Sequence, residues 1–128
     1  MQWLEVLNDS SLKNRPYKIE LNEYGQILMS PASNKRGFLQ AEIAFFVRNN
    51  RHGKVLIACS IETGISVKVA DVAWGTTDFF QRIGIDTPYR QAPVICVEIT
   101  SPSNYQPEIK EKFRLYLDKG ARECSVTS

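Results

Sequence analysis

The sequence is poor in the residues that most often build metal centres and covalent active sites. It has one histidine, His52, and three cysteines without CxxC spacing, Cys59, Cys96 and Cys124. A lone histidine, which we expect to be exposed, cannot supply a histidine-rich metal site or a supported Ser-His-Asp triad. The odd cysteine count and wide spacing favour buried, reduced thiols over a disulfide or a zinc site. We therefore expect a cytoplasmic protein.

Long apolar runs and a strong net charge are also missing. No run approaches the ~18 residues that a membrane span requires, so we expect no membrane partner. The stretch Met1 to Val6 is short and includes Glu5, so we expect no signal peptide. The net charge of +2 does not indicate nucleic-acid binding by itself. With 43% hydrophobic and 23% charged residues, we expect residues 1–128 to form a single soluble domain.

The hydrophobic pattern alternates between strand and helix signals. A hairpin is predicted over residues 17–29, with turn residues at 22–25. Residues 3–7 fit a short helix or a loose arm, and residues 75–92 fit a polar connection with one short helical turn. The remaining elements are helix 35–49, strand 54–59, strand 65–69 with a continuation or restart over 70–74, strand 93–99, helix 102–120 and strand 121–126. This order predicts an α/β (α+β) fold with a mixed sheet flanked by helices.

Two carboxylates stand in strand-like apolar surroundings. Glu98 lies in a run of β-branched residues, where a carboxylate is costly to bury unless it is paired, protonated or bound to metal. Asp71 has the parity of Val67 and Val69, which directs it to the apolar side unless the strand bends at Ala70. Hard oxygen ligands of this kind bind Mg²⁺ or Mn²⁺ and support phosphodiester hydrolysis.

Two further charged residues lie on the predicted helices. Glu42 falls within the arc of apolar residues on helix 35–49, so its carboxylate is expected at the interior or its edge. Lys112 flanks the apolar stripe of helix 102–120, and Lys110 flanks the other edge about as closely. A lysine beside a metal site can stabilise the transition state or orient the attacking water.

Several segments together resemble a known family. They read ADVAW at 70–74, VEITSPS at 97–103, EIKEKFRLY at 108–116 and GARE at 120–123, with MSPAS at 29–33 and FLQAEI at 38–43 upstream. This pattern resembles the Uma-type proteins, which are small restriction-endonuclease-like proteins of the PD-(D/E)xK nuclease superfamily. The resemblance extends from about residue 17 to the C-terminus and is most specific over 93–123.

The resemblance implies a restriction-endonuclease-like αβββαβ core preceded by the hairpin. It implies an Mg²⁺-dependent (or Mn²⁺-dependent) DNA endonuclease in which Asp71 and Glu98 are metal ligands and catalytic residues, and Glu42 is an accessory group. The superfamily's usual lysine would stand two residues after the glutamate, where this chain has Thr100. The family's lysine lies on the following helix, which matches Lys112.

The chain departs from the family pattern at several positions. Ala70 replaces a proline, and Cys124 and Ser125 stand where an aromatic residue is frequent. Family members usually continue with further strands, so we expect this domain to be naturally short or truncated at its C-terminus. The alternative function is a catalytically inactive module that binds nucleic acid or protein. A third is an oligomerisation domain, and homo-oligomers fit any of these functions.

Each predicted site residue also has a purely structural interpretation. Glu98 can form an ion pair with Arg82, Arg90 or Lys112. Asp71 can cap a turn, Glu42 can be a partly buried ion-pair partner, and Lys112 can cover the helix–sheet interface with its aliphatic stem. These interpretations require no metal and no substrate.

Overall fold

A computed structural model describes residues 2–9, 11, 17–31, 33–100 and 106–127 of the chain. Its elements in chain order are α1 Trp3–Asn8, β1 Tyr17–Leu21, β2 Ile27–Pro31, α2 Asn34–Asn50, β3 Lys54–Glu62, β4 Val67–Gly75, α3 Thr77–Ile83, β5 Ile95–Ile99, α4 Gln106–Asp118 and β6 Glu123–Thr127. The described strands form one sheet in the order β2-β1-β4-β5-β6, and β3 also pairs with β4. Only the β5–β6 pair in this sheet is parallel. The predicted mixed sheet flanked by helices is confirmed, whereas residues 102–105 of the predicted helix 102–120 lie outside the described residues.

The N-terminal hairpin has the predicted turn chemistry. The side chain of Asn22 accepts hydrogen bonds from the backbone N–H groups of Tyr24 and Gln26, both at 2.9 Å. Gly25 supplies a positive φ of 75°, which a residue without Cβ adopts at little cost. The turn fixes the register of β1 against β2, with Lys18 opposite Ser30 and Glu20 opposite Leu28.

The sheet forks along β4. Strand β3 pairs with β4 from Gly75 back to Val67, so it occupies one edge of β4 over its whole length. On the other edge, β1 pairs at Val67 and β5 pairs over residues 72–74. Asp71 therefore lies on β4 at the point where β1 and β5 separate.

The side-chain alternation of β4 is interrupted at this fork. Ala70 and Ala73 belong to the same core cluster although they are three residues apart, which strict alternation would not allow. In the β3–β4 register, Ala58 and Asp71 are not paired, although the residues on both sides of them are. Ala58 has a φ of +56°. Asp71 is therefore not placed on the face of Val67 and Val69 by simple alternation, although it is buried as expected.

Two core clusters cover the two faces of the sheet. Helix α2 packs one face through Ile43, Ala44 and Val47, which contact the cluster that includes Val72 and Val97. Helix α4 packs the other face, where its fully buried Tyr116 joins sheet residues and partly buried Phe113 packs alongside. The core thus holds α2 and α4 over opposite faces of the forked strands.

The apolar arc predicted for α2 is wider than the face that the helix buries. Phe38, Phe45 and Phe46 are 71%, 71% and 67% exposed. The helix contacts the sheet through a narrow strip that needs only small and β-branched side chains, so these phenylalanines extend away from the core. These phenylalanines belong to the arc of apolar residues on helix 35–49, so the expectation that this whole arc faces the interior is wrong.

Other segments extend or shorten the predicted elements. The short helical turn is a full helix, α3, whose N-cap is Thr76, with its hydroxyl accepting from the N–H of Phe79 at 3.0 Å. Helix α4 ends at Asp118 before Gly120, which has the positive φ (112°) typical of a helix stop.

Cys59 and Cys96 are free and buried, as predicted, and Cys124 is half-buried. None of the helices in the described residues is long and apolar enough to cross a membrane.

The left-handed conformation of Ala58 predicts that Ala58→Gly stabilises the protein. Glycine adopts this φ without the cost that a Cβ imposes, and we expect a gain of about 0.5–1 kcal/mol in the free energy of unfolding. Ala41→Gly, at an exposed position inside α2, is the matched control and should lose about 1 kcal/mol. Urea unfolding measures both values. A loss of stability in Ala58→Gly would contradict this interpretation of the fork.

Candidate active site

Glu98 is a buried carboxylate in the middle of the sheet, with both oxygens occupied. It is 2% exposed. Its Oε1 accepts from the ammonium groups of Lys18 and Lys112, each at 3.0 Å, and its Oε2 accepts from the Tyr116 hydroxyl at 3.0 Å. Strand β1 and helix α4 thus supply the partners that make this burial tolerable.

Asp71 is the second buried carboxylate, also 2% exposed. Its Oδ2 accepts from the backbone N–H of Ile99 at 2.7 Å. Its Oδ1 lies 3.3 Å from Lys18 Nζ and 4.0 Å from Arg36 Nε. The side chain of Gln40 donates to the Asp71 backbone carbonyl at 3.0 Å, which ties α2 to this point of β4.

Glu20, on β1, is the third buried carboxylate and is 5% exposed. Its Oε2 accepts from the backbone N–H of Val69 at 2.6 Å and lies 2.9 Å from Lys112 Nζ. Glu20 and Asp71 thus each satisfy a backbone donor at the fork, where the separating strands leave N–H groups that need other acceptors. The carboxylates of Glu20 and Asp71 consequently stabilise the fold, in addition to any role in catalysis.

Lys112 is held in its charged form by these neighbours. Burial alone would lower its pKa, but the carboxylates of Glu98 and Glu20 outweigh burial and raise the pKa above its ordinary value. In return, although burial acts to raise it, the pKa of Glu20 is lowered by Lys112, Lys18 and the Val69 N–H. Burial, and then the charge of Glu98, raise the pKa of Tyr116, so its hydroxyl stays a donor. Lys112 can therefore stabilise negative charge but cannot serve as a base near neutral pH.

The structure brings together three of the four predicted site residues. Asp71, Glu98 and Lys112 share the network that we call the fork cluster, defined as Lys18, Glu20, Asp71, Glu98 and Lys112 together with Arg36 and Tyr116. Lys110 is exposed, so the geometry favours Lys112 over Lys110. The catalytic and metal-binding roles of these residues stay predictions.

Glu42 does not join the fork cluster. It is exposed on α2, and among the described residues it has no ion-pair partner within 4.0 Å. The expectation that its carboxylate points to the interior is wrong, because α2 turns Ile43 and Val47 to the sheet instead. Of the three ion-pair partners expected for Glu98, Lys112 is confirmed at 3.0 Å, whereas Arg82 donates to the Gln91 side chain.

Lys18, Glu20, Arg36 and Tyr116 were not identified from the sequence as members of this site. The one available signal was the alternation over 17–21, which places Lys18 and Glu20 on one face of β1. That alternation is typical of a hairpin with a solvated polar face as well, so it does not distinguish an exposed face from a buried one. Only the pairing of β1 with β4, across 46 residues of chain at Leu21 and Val67, brings this face to Glu98.

The donor set of Asp71 and Glu98 fits a divalent metal ion. Asp71 Oδ1 and Glu98 Oε1 both contact Lys18 Nζ, so they can be no farther apart than the sum of 3.3 and 3.0 Å. Two carboxylates completed by water suit the oxygen preference of Mg²⁺. Within the described residues, no three or more His, Cys, Asp or Glu side chains group as metal ligands, so the site offers one carboxylate pair.

A cavity of about 410 Å³ opens beside Asp71. Its polar lining includes Lys18, Arg36 and Gln40, and its apolar lining includes Trp3 and Ile57. A larger cavity, of about 620 Å³, lies near Glu62 and Ile65 and has no fork-cluster residue in its lining. We assign access to the fork cluster to the smaller cavity because it reaches a site carboxylate.

The lowered pKa of Glu20 predicts a pH-dependent contribution to stability. A carboxyl group with a lowered pKa contributes its full stabilisation at pH values above its ordinary pKa of 4.5. This stabilisation is lost as the pH falls from 4.5 through the lowered pKa of the folded protein. Glu20→Gln should cost about 1–3 kcal/mol at neutral pH, with a smaller cost near pH ~3.5. Exposed Glu23→Gln, the control, should change stability by less than about 0.5 kcal/mol. Denaturant unfolding at several pH values measures this, and a Glu20→Gln cost independent of pH would contradict it.

Comparisons with known proteins identify the family. The model of the Uma2 family, described as putative restriction endonuclease, matches residues 4–127. A crystal structure of a protein from Anabaena variabilis ATCC 29413, described as a putative nuclease belonging to DUF820, aligns with a TM-score of 0.67 and 20% identity. The alignment covers 84% of this chain and 64% of that one, and at this identity it shows a shared fold. No curated protein sequence matches. With the family model matching nearly its whole length, the chain belongs to the Uma2 family.

Proposed function

We propose that this protein is a Mg²⁺-dependent (or Mn²⁺-dependent) endonuclease that hydrolyses DNA phosphodiester bonds. The observation that carries the proposal is the convergence of one oxygen each from Asp71 and Glu98 on a single point beside a cavity. Membership of the Uma2 family supports a nuclease activity. A cytoplasmic location accords with the free thiols, and a homo-oligomer is compatible with the fold.

The two metal ligands are oriented by the chain itself. The Ile99 N–H holds Asp71 Oδ2, and the Tyr116 hydroxyl holds Glu98 Oε2, so an ion would bind the opposite oxygens, which both contact Lys18 Nζ in the metal-free structure. Such hydrogen bonds fix the orientation of the ligands. Their removal typically lowers metal affinity about 10–100-fold. A bound divalent ion would supply polarisation of the phosphate and a lowered pKa of the attacking water.

Lys112 would act as an electrostatic group. It is anchored between Glu20 and Glu98 by contacts of 2.9 and 3.0 Å, so its ammonium is positioned before substrate arrives. Because its pKa is raised, it keeps its charge at neutral pH. A preorganised cation of this kind stabilises negative charge that develops on the phosphate in the transition state.

A DNA substrate accords with the cations at the cavity. Lys18 and Arg36 line it beside Asp71, and both carry charges that attract phosphate. The substrate-facing part of the site would therefore combine two cationic side chains with the Asp71 carboxylate. Retention of DNA should weaken as the salt concentration rises, because phosphate contacts release counterions.

A second candidate function is a catalytically inactive module that binds nucleic acid or protein. The observation that favours it is the neutralisation of the buried carboxylates by Lys18 and Lys112, which makes the fork cluster stable without an ion. This module would retain DNA or a protein partner without cleaving DNA. The cleavage experiment below separates the two functions.

The nuclease proposal predicts that the carboxylate pair is required for cleavage. In a supercoiled-plasmid assay with Mg²⁺ or Mn²⁺, Glu98→Gln and Asp71→Asn should each reduce the rate at least ~100-fold, because each removes an ion ligand. Glu42→Gln is the control, and its exposed position predicts a rate near wild type. A large loss in Glu42→Gln would restore its accessory role. Equal rates in wild type and Glu98→Gln would exclude the mechanism.

The two candidate lysines on α4 give a second prediction. Lys112→Met should lower the cleavage rate by about 100-fold or more, since it removes a preorganised cation. Lys110→Met removes the same charge from an exposed position on the same helix and should keep nearly the full rate. Melting temperatures of both variants, measured in parallel, separate lost activity from lost folding. Similar activity losses in the two variants would contradict the assignment of Lys112.

A further inference from the structure

We infer that the ammonium of Lys18 occupies the ion position between Asp71 and Glu98 in the metal-free protein, so that a divalent ion binds only when Lys18 leaves. This inference rests on the proposed metal site. It adds a competition between a side chain of β1 and the ion, which makes Lys18 a positioning residue that controls metal affinity.

The contacts of Lys18 single it out among the cations of the fork cluster. Its Nζ lies 3.3 Å from Asp71 Oδ1 and 3.0 Å from Glu98 Oε1. In the described part of the chain, Arg36 approaches only Asp71 of this pair, and Lys112 approaches only Glu98. Lys18 alone therefore bridges the two carboxylates as a shared ion would.

The oxygens that face Lys18 are the ones that an ion would use. The remaining oxygens of Asp71 and Glu98 accept from Ile99 N–H at 2.7 Å and Tyr116 OH at 3.0 Å. Mg²⁺ binds carboxylate oxygens at ~2.0–2.1 Å. An ammonium and a divalent ion at such distances from the same two oxygens would repel each other strongly, so the two states exclude one another.

Lys18 has room to leave without a change in the strand. Its backbone is fixed by pairing with Ser30 on β2, but its side chain lines the cavity of about 410 Å³ together with Arg36 and Gln40. A lysine has a flexible four-carbon stem, so rotation of the side chain moves the ammonium into this cavity. The same cavity gives an ion access to Asp71.

This competition lowers the apparent affinity for the ion by the fraction of molecules in which the site is open. If Lys18 bridges the carboxylates in nine molecules of ten, the apparent dissociation constant is raised about tenfold. Substitution of Lys18 removes its ammonium and so restores the full affinity for the ion. The loss of a nearby positive charge also favours cation binding, so a charge-matched control is needed.

Calorimetric titration with Mn²⁺ tests the inference on wild type, Lys18→Met and Arg36→Met. Arg36→Met is the matched control, because it removes one positive charge beside Asp71 without opening the bridge. We expect Lys18→Met to bind Mn²⁺ at least about tenfold more tightly than wild type, and Arg36→Met to gain less than about threefold. Equal gains in both variants, or no gain in Lys18→Met, would overturn the inference.

A measurement on wild type avoids any dependence on the folding of a variant. Nitrogen-15 NMR of lysine ammonium groups should show protected Lys18 and Lys112 signals without metal, since these side chains are 10% and 13% exposed. Added Mg²⁺ should remove or shift the Lys18 signal while Lys112 stays protected by Glu20. A Lys18 signal unchanged at saturating Mg²⁺ would overturn the inference.

The two proposals fail in different ways. If wild type binds Mn²⁺ through Glu98 but Lys18→Met gains no affinity, only the competition is wrong and the nuclease proposal stands. If neither wild type nor Lys18→Met binds Mn²⁺, the proposed metal site is wrong, and the inferred competition is wrong as well.

Discussion

The structure depends on one oxygen, Glu98 Oε1, which two lysines share. Lys18 reaches it from β1 and Lys112 from α4, each at 3.0 Å. A carboxylate at 2% exposure requires such partners, because an unpaired buried charge costs about 3–5 kcal/mol. The position of the N-terminal hairpin, the fork in the sheet and the orientation of α4 are all coupled to this single atom.

The fork explains why the charges gather at this point. Strands β1 and β5 separate along β4, and the N–H groups left by that separation are taken by the carboxylates of Glu20 and Asp71. Those carboxylates in turn need cations, which Lys18 and Lys112 provide. A site of this kind serves the fold and its proposed chemistry with the same residues, so function must draw on interactions that also stabilise the sheet.

The sequence predicted the order of elements, the mixed sheet and the partnership of Glu98 with Lys112, because these depend on local periodicity and on the family pattern. It did not predict Lys18 or Glu20, because their alternation on β1 is the same in an exposed hairpin and in one buried against β4. It misplaced Glu42, because the apolar arc of α2 is wider than the strip that packs on the sheet. Tertiary pairing, which leaves no local signal, decided each of these cases.

We have proposed that Asp71 and Glu98 share one divalent ion beside the cavity. A crystal structure grown with Mn²⁺ tests this most directly through anomalous scattering. We expect one anomalous peak within ~2.0–2.6 Å of both carboxylates, with the Lys18 ammonium displaced from its bridge. An anomalous map without a peak at this position, or Lys18 still bridging the two carboxylates at saturating Mn²⁺, would contradict it.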